Sequence, residues 1–578
     1  MVESDKLVPL DTAGDAPPTG RRPYFHSMNA HQAIIDVLAA EGVDTLFTLM
    51  AEDTLHLLSD IDENHRDDLD IVQTRHEQGA MAMADGYARS TGDVGVCMVG
   101  RGPGIAQTGT ALVTARKNGS NLLAIVPEAP TSKNYDIKEF KQEAYLESTV
   151  ENVISARSAE TLVPRLREGF RQVRTGDGPV VVQVAWDVLD GDADFDYALD
   201  GPSGLAAQRG TGAPDPDAVD EAVERYLDSD ATKPPLILAG RGAVAADAKD
   251  ALIDLGEQTG GVLATTLRTE GYFDDHPYSV GFVGTWGRNL ANEHIVEADF
   301  VFAAGCSLNP KTTDGGRLIR DDAKVVHVDT DESAIERYTP VDVGIVSDAV
   351  ATAEAFTAEL AEMGISRADD LWTDRLRERI AAQPDLDEGE FPDVEGRVDP
   401  RALVQALDEY LPAERQVISD GGHFTRWVVD GVHTQHPDDF VWTLDFAAIG
   451  LGLGAGIGAA VASEKPSVLF CGDAGFQMML QELNTAVRKQ VPLVVVVMND
   501  DMLGSEYHNL DKQTDYVEAP FIDSPDFAEV AASMGATGHT VRSVDDVDAL
   551  GDVLGEAPTG PVVVDCKINH EVRHRSKL

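Results

Sequence analysis

The sequence contains no apolar run that could cross a lipid bilayer, which would take about 20 consecutive apolar residues. Its first residues, MVESDKLVPLDTAGDAPPTGRRP, also lack the apolar core of a secretory signal peptide. We therefore expect a cytoplasmic protein without a membrane partner. Residues 1–27 are polar and contain several prolines and glycines, and we predict that they form a disordered leader.

Basic residues are scarce: 46 lysines and arginines stand against 100 aspartates and glutamates, which gives a net charge of −54. A surface with this charge repels phosphate, which argues against nucleic acids and anionic membranes as partners. The acidic residues are spread along the whole chain. We interpret them as the hydrated surface of a halophilic protein, because concentrated salt would screen their mutual repulsion.

Cysteines are also few, and none of the four belongs to a CxxC motif. Cys97, Cys306, Cys471 and Cys566 are widely spaced, so the pattern indicates neither a zinc site nor a disulfide framework. We expect buried free thiols in a reducing compartment. The final residues 576–578, Ser-Lys-Leu, match a peroxisomal address, which we interpret as coincidental because the acidic composition points to a prokaryotic halophile.

Short runs of valine, isoleucine, leucine and alanine alternate with helical patterns along three segments of the chain. This rhythm is typical of α/β domains with buried parallel sheets. We predict three such domains, at residues 28–190, 214–365 and 398–578, joined by a linker at 191–213 and a connector at 366–397. The predicted strands are TLFTL, VGVCMVG and NLLAIVPEA in the first domain, PLILAG, VLATT, FVFAAG and KVVHVD in the second, and RQVISDGG, SVLFCGD, PLVVVVMND and GPVVVDCKI in the third.

Two predicted strands of the third domain end in carboxylates, Asp473 and Asp500, which are 27 residues apart. Because ligands bind beyond the carboxyl ends of parallel strands, neighbouring strands would bring these two side chains to one site. Two carboxylates and a substrate diphosphate would bind Mg²⁺, and the helix after Gly475 offers amides to a phosphate. The alternative is an acidic surface turn in which Asp473 caps a helix. The residues alone leave both interpretations open.

This stretch resembles the cofactor motif of thiamine-diphosphate enzymes of the acetolactate synthase type, in which Gly-Asp-Gly is followed by a crossover and Asn-Asn. Here the residues are Gly472-Asp473-Ala474 and Asn499-Asp500, with QELNTAV between them. The resemblance implies that Asp473, Asp500 and the main-chain carbonyl of Met502 bind Mg²⁺. It also implies that residues 472–475 contact thiamine diphosphate. Two residues depart from the motif: Ala474 replaces a glycine, and Asp500 replaces an asparagine. Asp500 keeps a ligating oxygen and adds a negative charge.

A second stretch, TRHEQGAMAMADGYARSTG, resembles the family's helix that carries a catalytic glutamate, which implies this role for Glu77. The family's chemistry needs a carboxyl group hydrogen-bonded to the aminopyrimidine ring of the cofactor, so that the ring's imine can take the proton of the thiazolium carbon. Taken alone, Glu77 could simply occupy the first turn of a helix, where the helix dipole favours a negative charge.

Two further segments resemble parts of the family's cofactor site. In DFAAIGLGLGAGIGAAVA, residues 445–462, Ile449 matches the apolar residue that supports the bent cofactor. A run of glycine and alanine like this one is otherwise a sign of close helix packing. The segment SDGGHFTRW resembles the strand end that meets the diphosphate, which implies that Gly421, Gly422 and His423 bind it. A lone histidine is otherwise more often structural.

Three charged residues depart from the family near the position of the reacting carbon: Glu52, Arg101 and Glu128. They imply a more polar pocket than pyruvate and a second small oxo acid would need. Arg101 could pair with a substrate carboxylate. The alternative is that the three residues pair with one another.

The resemblance implies a thiamine-diphosphate- and Mg²⁺-dependent enzyme that decarboxylates a 2-oxo acid and then joins the product to a second molecule. A 2-oxo acid decarboxylase that performs no ligation is the first alternative, with Glu52 handling a proton. A non-catalytic or regulatory member of the fold is the second, against which both Glu77 and Asp473 argue. An oxidoreductase based on the middle domain is weaker, because the Gly240–Gly242 turn is only part of a dinucleotide fingerprint.

The resemblance also bears on other cofactors and partners. The family's central domain binds FAD in some members and nothing in others, so FAD remains open. In the family the cofactor lies between the first domain of one subunit and the third domain of another, which implies a homodimer or homotetramer. A small regulatory subunit is a further partner that this resemblance allows.

Overall fold

The structure is a computed structural model that describes residues 29–574 except 192–196, 198, 200, 204–211, 231, 385, 387–388, 515–516 and 556–557. The predicted leader, most of the predicted linker and the final Ser-Lys-Leu lie outside the described residues. The described residues form three parallel six-stranded sheets with helices packed against them, so the predicted α/β class is confirmed. Within the described residues, no helix combines the length and the apolar character that a membrane span requires.

The first sheet has the strand order β2-β1-β3-β4-β6-β5. Its inner strands are mostly apolar and fully buried, because helices cover both faces of the sheet. Its strands are β1 (Thr45–Thr48), β2 (Asp70–Gln73), β3 (Gly95–Met98), β4 (Leu122–Glu128), β5 (Asn152–Ala156) and β6 (Val180–Ala185). Its helices are α1 (Ala30–Ala40), α2 (Leu55–Asp60), α3 (Glu77–Thr91), α4 (Pro103–Ala106), α5 (Gly109–Asn118), α6 (Gln142–Thr149), α7 (Ala159–Gln172) and α8 (Trp186–Leu189), with π-helical turns at Ile61–His65 and Val173–Asp177.

The second sheet has the strand order β12-β11-β10-β7-β8-β9, so the order reverses between β10 and β7. Its strands are β7 (Leu236–Ala239), β8 (Val262–Thr266), β9 (Ser279–Val283), β10 (Phe300–Ala304), β11 (Lys324–Asp329) and β12 (Val343–Val346). Its helices are α9 (Pro216–Leu227), α10 (Arg241–Ala245), α11 (Lys249–Thr259), α12 (Asn289–Glu297) and α13 (Ala349–Glu362), with 3₁₀ turns at Leu267–Thr269 and Glu332–Ala334. The predicted connector contains two short helices, α14 (Ala368–Leu371) and α15 (Asp374–Ala381).

The third sheet has the strand order β14-β13-β15-β16-β18-β17. Its strands are β13 (Gln416–Ser419), β14 (Phe440–Trp442), β15 (Ser467–Gly472), β16 (Leu493–Asn499), β17 (Thr537–Val541) and β18 (Val562–Lys567). Its helices are α16 (Pro400–Tyr410), α17 (Thr425–Gly431), α18 (Gly452–Ala462), α19 (Asp473–Met478), α20 (Leu483–Lys489), α21 (Gly504–Asp511), α22 (Phe527–Met534), α23 (Val544–Asp548) and α24 (Gly551–Leu554), with 3₁₀ turns at Pro437–Asp439 and Leu480–Glu482.

One hydrophobic core is shared by the first and third domains, because α3 and α18 cross with their backbones in contact. A Cβ atom added to Gly86 would lie 2.1 Å from the carbonyl oxygen of Ala455, and one on Gly458 would lie 1.9 Å from that of Met83. A larger residue at either glycine would push the helices apart. The glycine-rich run in α18 therefore serves close helix packing, which is one of the two interpretations offered by its sequence.

The four cysteines are buried and free, as the sequence predicts. Burial raises the pKa of the Cys306 thiol to about 12, so this side chain stays protonated at neutral pH. The thiols thus act as small apolar groups of the core.

Candidate functional site

The carboxyl ends of two neighbouring strands bring Asp473 and Asp500 to one edge of the third sheet. β15 and β16 are parallel neighbours in which Gly472 lies opposite Met498, so the residues that follow them leave the sheet side by side. Asp473 is 2% exposed and Asp500 is 8% exposed. The alternative of an acidic surface turn is wrong, because both carboxylates are buried, and the N-cap of α19 is Gly472 rather than Asp473.

These two buried carboxylates have no cationic partner within ion-pair distance among the described residues. Ser524 Oγ donates a hydrogen bond of 2.6 Å to Asp473, and the Met502 N–H donates one of 3.2 Å to Asp500. The nearby Arg397 pairs with Asp501 instead. Burial raises the pKa of Asp473 to about 6, and burial together with the charge of Asp473 raises the pKa of Asp500. The carboxylate oxygens of Asp473 and Asp500 are suitable ligands for a hard divalent cation. The charge of such a cation would offset the repulsion between the two carboxylates.

The loop after β13 lies against this pair of carboxylates. A Cβ atom on Gly504 would lie 2.6 Å from Asp500 Oδ2 and 3.1 Å from His423 Cβ, so His423 and Asp500 flank the same point. Gly421 lies against the predicted supporting residue, since its added Cβ would be 3.2 Å from Ile449 Cγ2. The structure therefore gathers the predicted diphosphate residues and the predicted metal ligands at one edge.

The ring nitrogen Nε2 of His423 is buried and has no hydrogen-bond partner among the described residues. Its ring lies 4.3 Å from that of His508 and 4.7 Å from that of His574, measured between centroids. Burial lowers the pKa of His423 well below its usual value and lowers that of His508 to about 4, so both rings are neutral at pH 7. If the proton of this neutral imidazole lies on Nε2, the ring can donate a hydrogen bond to a phosphate oxygen.

Asp420 is a component of this site that the sequence analysis missed. It follows β13, is 1% exposed, and accepts hydrogen bonds from the N–H groups of Gly421 at 2.8 Å and Gly450 at 2.9 Å. Burial raises its pKa to about 6. Asp420 therefore holds the diphosphate loop against the segment that carries Ile449. The strand-end rule that identified Asp473 would also have found it.

Glu77 begins α3 and is half-buried against other residues of the first domain. Its Oε2 accepts a hydrogen bond of 3.0 Å from Gln107 Nε2, and a Cβ atom on Gly104 would lie 3.3 Å from its Oε1. Asp473 and Asp500 contact residues of the third domain instead. Glu77 and the two aspartates thus belong to separate halves of a site.

Glu482 is a second residue that the sequence analysis did not single out, although it lies within QELNTAV. Its buried carboxylate accepts the N–H of Arg75 at 3.1 Å and the hydroxyl of Thr485 at 2.7 Å. Burial raises its pKa. Since Arg75 lies two residues before Glu77, a side chain of the third domain holds the turn that leads into the glutamate helix.

Glu52, Arg101 and Glu128 do not pair with one another, so that alternative is wrong. Arg101 forms ion pairs with Asp53 and, at 3.1 Å, with Asp136. Glu52 pairs with Lys138 at 3.0 Å, and Glu128 pairs with Arg157 at 2.8 Å. The guanidinium of Arg101 also lies over the ring of Trp186 at 4.6 Å. Each of the three charges is therefore matched within the first domain.

The glycines of the second domain's Gly240–Gly242 turn have a packing role. The N–H of Gly242 donates to the carbonyl of Gly305 at 2.9 Å, and a Cβ atom on Gly305 would lie 2.3 Å from the nitrogen of Ala243. The two loops at the reversal point of the sheet therefore touch where a doubly wound sheet usually admits a dinucleotide. This packing explains the glycines without a flavin.

Three protein-family descriptions match the chain, one for each sheet. "Thiamine pyrophosphate enzyme, N-terminal TPP binding domain" matches residues 28–150. The central domain of the same enzymes matches residues 229–356, and their C-terminal TPP binding domain matches residues 420–566. The predicted metal ligands lie within the last of these ranges, and Glu77 lies within the first.

Several relatives match this chain over most of their length. The probable acetolactate synthase large subunit of Methanocaldococcus jannaschii is 29% identical over 90% of this chain and 88% of its own. The acetolactate synthase large subunit of Haemophilus influenzae is 26% identical over 90% of this chain and 91% of its own. The sulfoacetaldehyde acetyltransferase of Alcaligenes xylosoxydans xylosoxydans is 27% identical, with 90% and 89% covered.

Proposed function

Because this chain belongs to the thiamine pyrophosphate enzyme family, we propose that it decarboxylates a 2-oxo acid and ligates the remaining fragment to a second carbonyl compound. Similarity to acetolactate synthase large subunits along nearly the whole chain supports this reaction class. The observation that carries the proposal is the pair of buried strand-end carboxylates, Asp473 and Asp500, which have no cationic partner among the described residues.

We propose that Asp473, Asp500 and the carbonyl of Met502 hold a Mg²⁺ ion that binds the diphosphate of the cofactor. Mg²⁺ commonly takes one or two carboxylates and fills its other positions with phosphate and water oxygens. The proposed ligands fit this pattern, since Met502 is held beside Asp500 by its own N–H. With two carboxylates, cofactor binding should depend strongly on the metal.

We propose that residues around the metal position the cofactor. Gly472, Ala474 and Gly475 lie at the turn into α19, and Gly421, Gly422 and His423 lie at the neighbouring strand end. The free nitrogen of His423 would donate to a diphosphate oxygen, and Ile449 would support the bent cofactor. The bound cofactor would supply the carbanion and the electron sink that decarboxylation requires.

We propose Glu77 as the catalytic residue and another subunit as the source of its partner half-site. Within one chain its described contacts stay in the first domain, whereas the proposed metal ligands face the third domain's own loops. We therefore propose a homodimer or homotetramer in which Glu77 of one chain meets Asp473 of another. Exposed apolar side chains at Tyr135 and Met478 support an interface of this kind.

The active oligomer is expected to require concentrated salt, because a net charge of −54 repels itself across any interface. Gel filtration in molar potassium chloride should show an active dimer or tetramer, and dialysis to dilute buffer should release inactive monomers. An active monomer would contradict the shared site, and full stability in dilute buffer would contradict the halophilic interpretation.

A cytoplasmic location and a small partner subunit are further proposals. Activity of the purified chain alone would show that no such subunit is needed.

The expected reaction can be measured with a panel of 2-oxo acids, offered singly and in pairs with thiamine diphosphate and Mg²⁺ in high salt. We expect CO₂ release together with a ligated product for at least one pair. CO₂ and a free aldehyde without ligation would favour the decarboxylase alternative, in which the exposed Glu52 handles a proton. No turnover with any substrate would favour a non-catalytic member of the fold.

An absorbance spectrum of the active preparation decides whether FAD is bound.

A further inference from the structure

The loop that follows β16 has an unusual backbone conformation between two of the proposed metal ligands. We call residues 499–502 the ligand turn. Asp501 separates Asp500 from Met502, so its conformation sets the direction of both neighbours. The φ angle of Asp501 is +61°, in the left-handed region that residues other than glycine rarely occupy. Contacts with the surrounding structure must therefore stabilise the ligand turn.

One of these contacts comes from Arg397, the last residue of the predicted connector. Its Nη1 donates hydrogen bonds to the carbonyl of Asn499 at 3.2 Å and to that of Ile568 at 3.0 Å. Its Nη2 pairs with the carboxylate of Asp501. A single guanidinium thus joins the end of β16, the side chain of the ligand turn and the segment after β18.

The main chain beside Arg397 is fixed to the third sheet. The N–H of Val398 donates to the carbonyl of Lys567 at 2.9 Å, and the N–H of Asn569 donates to the carbonyl of Val398 at 2.8 Å. Val398 also forms a parallel bridge with Ile568 and is 5% exposed. Arg397 therefore extends towards the ligand turn from a segment that is held by hydrogen bonds on both sides.

A buried network holds the main chain of the same turn. Asn499 Oδ1 accepts the N–H of Asp501 at 3.2 Å, and Asn499 Nδ2 donates to Asp565 at 2.9 Å. Asp565 also pairs with Lys567 at 2.8 Å. Asn499 and Asp565 are fully buried. The network fixes the amide of Asp501, whereas Arg397 binds its carboxylate, so the two contacts constrain different parts of one residue.

We propose that Arg397 is a positioning residue that, through its pair with Asp501, aligns the carboxylate of Asp500 and the carbonyl of Met502 towards a divalent cation. This inference rests on the proposed function, because it takes these two groups to be ligands of Mg²⁺. Arg397 acts through the ligand turn rather than by contact with the ion. Loss of a supporting contact of this kind commonly lowers metal affinity about 10- to 100-fold.

The charge of Arg397 by itself would have the opposite effect on a bound cation. Asp473, Asp500 and Asp501 place three carboxylates in this region. Removing a positive charge beside them would strengthen the attraction of Mg²⁺. A loss of alignment would weaken Mg²⁺ binding instead. The direction of the change in Arg397→Gln therefore separates a positioning role from a simple charge effect.

Conservative substitutions test which property of each partner matters. Arg397→Lys keeps the charge, but its ammonium lacks the planar fork that reaches two carbonyls and a carboxylate together. Asp501→Asn keeps one acceptor oxygen, and asparagine tolerates the left-handed conformation. Asp501→Gly adopts this conformation freely but has no side chain for Arg397 to bind. The two Asp501 variants therefore separate the backbone conformation from the contact with Arg397.

The experiment titrates Mg²⁺ into the full-length protein at a fixed concentration of thiamine diphosphate, in high salt. Calorimetry gives the Mg²⁺ concentration at half-saturation for the unaltered protein and for each variant. Arg542→Gln is the matched control, since Arg542 is exposed and donates to the carbonyl of Gly396 at 3.4 Å, next to Arg397. The melting temperature without metal and cofactor shows whether each variant is folded.

We expect Arg397→Gln to raise the half-saturating Mg²⁺ concentration at least about tenfold, with a smaller increase for Arg397→Lys. Asp501→Gly should also raise it, and by more than Asp501→Asn. Arg542→Gln should leave it unchanged. If Arg397→Gln does not fold, the comparison of the two Asp501 variants decides the matter.

Two kinds of result would overturn the inference. An equal or lower half-saturating Mg²⁺ concentration in Arg397→Gln would show that Arg397 does not align the ligands. Unaltered Mg²⁺ binding in Asp501→Gly would show that the backbone conformation suffices without the ion pair. Either result, with normal binding in the unaltered protein, would leave the proposed function intact. Absence of Mg²⁺-dependent cofactor binding in the unaltered protein would contradict the proposed function and this inference together.

Discussion

Replacing Glu77 with glutamine is expected to lower kcat by at least about 100-fold while thiamine diphosphate still binds, since proton transfer by a positioned carboxyl commonly contributes that much. Glutamine has nearly the same shape and keeps the contact with Gln107, so α3 and the turn held by Glu482 should stay in place. The carboxyl group alone can stabilise the protonated ring of the cofactor.

The measurement for Glu77 pairs steady-state kinetics with a cofactor titration. Glu63→Gln serves as a matched control, because Glu63 is an exposed glutamate of the same domain. Its activity and cofactor binding should equal those of the unaltered enzyme. If Glu77→Gln kept full activity, Glu77 would be only a helix-start residue, and the assignment of the catalytic helix would fail.

Replacing Asp473 with alanine is expected to weaken thiamine diphosphate binding by more than about 100-fold, because losing a direct metal ligand should cost more than losing a supporting one. Asp500→Asn should be mild in comparison. The amide keeps a ligating oxygen, and the change removes one of two mutually repelling buried charges. The variant should need more Mg²⁺ to reach the same cofactor occupancy.

Both aspartate variants can be followed by the quenching of protein fluorescence on cofactor addition, at several Mg²⁺ concentrations. Asp552→Asn, an exposed aspartate of the same domain, provides the control for removal of one charge. Circular dichroism confirms that each variant is folded. A mild effect of Asp473→Ala together with a severe effect of Asp500→Asn would show that the two ligand assignments are reversed.

The inner strands other than β6 were predicted from the sequence, whereas the edge strands were not. TLFT in β1 and LVVVVMN in β16 are fully buried, and most of their residues are apolar. The edge strands β2 and β17 have mostly half-exposed residues, and their sequences DIVQ and TGHTV carry no apolar run. At the other four edges, β5, β9, β12 and β14, only part of each strand is buried.

The site was predictable where chemistry follows the ends of strands, and less so where partners come from distant segments. Asp473 and Asp500 were found because a parallel crossover brings such ends together. The partners of Arg101 are Asp53 and Asp136, which no spacing rule connects to it. Likewise, Glu482 reaches the first domain only because the two domains share a core.

Binding of thiamine diphosphate by the strand-end carboxylates through a divalent metal can be tested directly. Calorimetric titration of the cofactor into metal-free full-length protein, with and without Mg²⁺ in high salt, tests it in one experiment. We predict saturable binding of one cofactor per chain when Mg²⁺ is present and its loss after chelation. Binding of equal affinity in the absence of metal, or no saturable binding in its presence, would contradict the account.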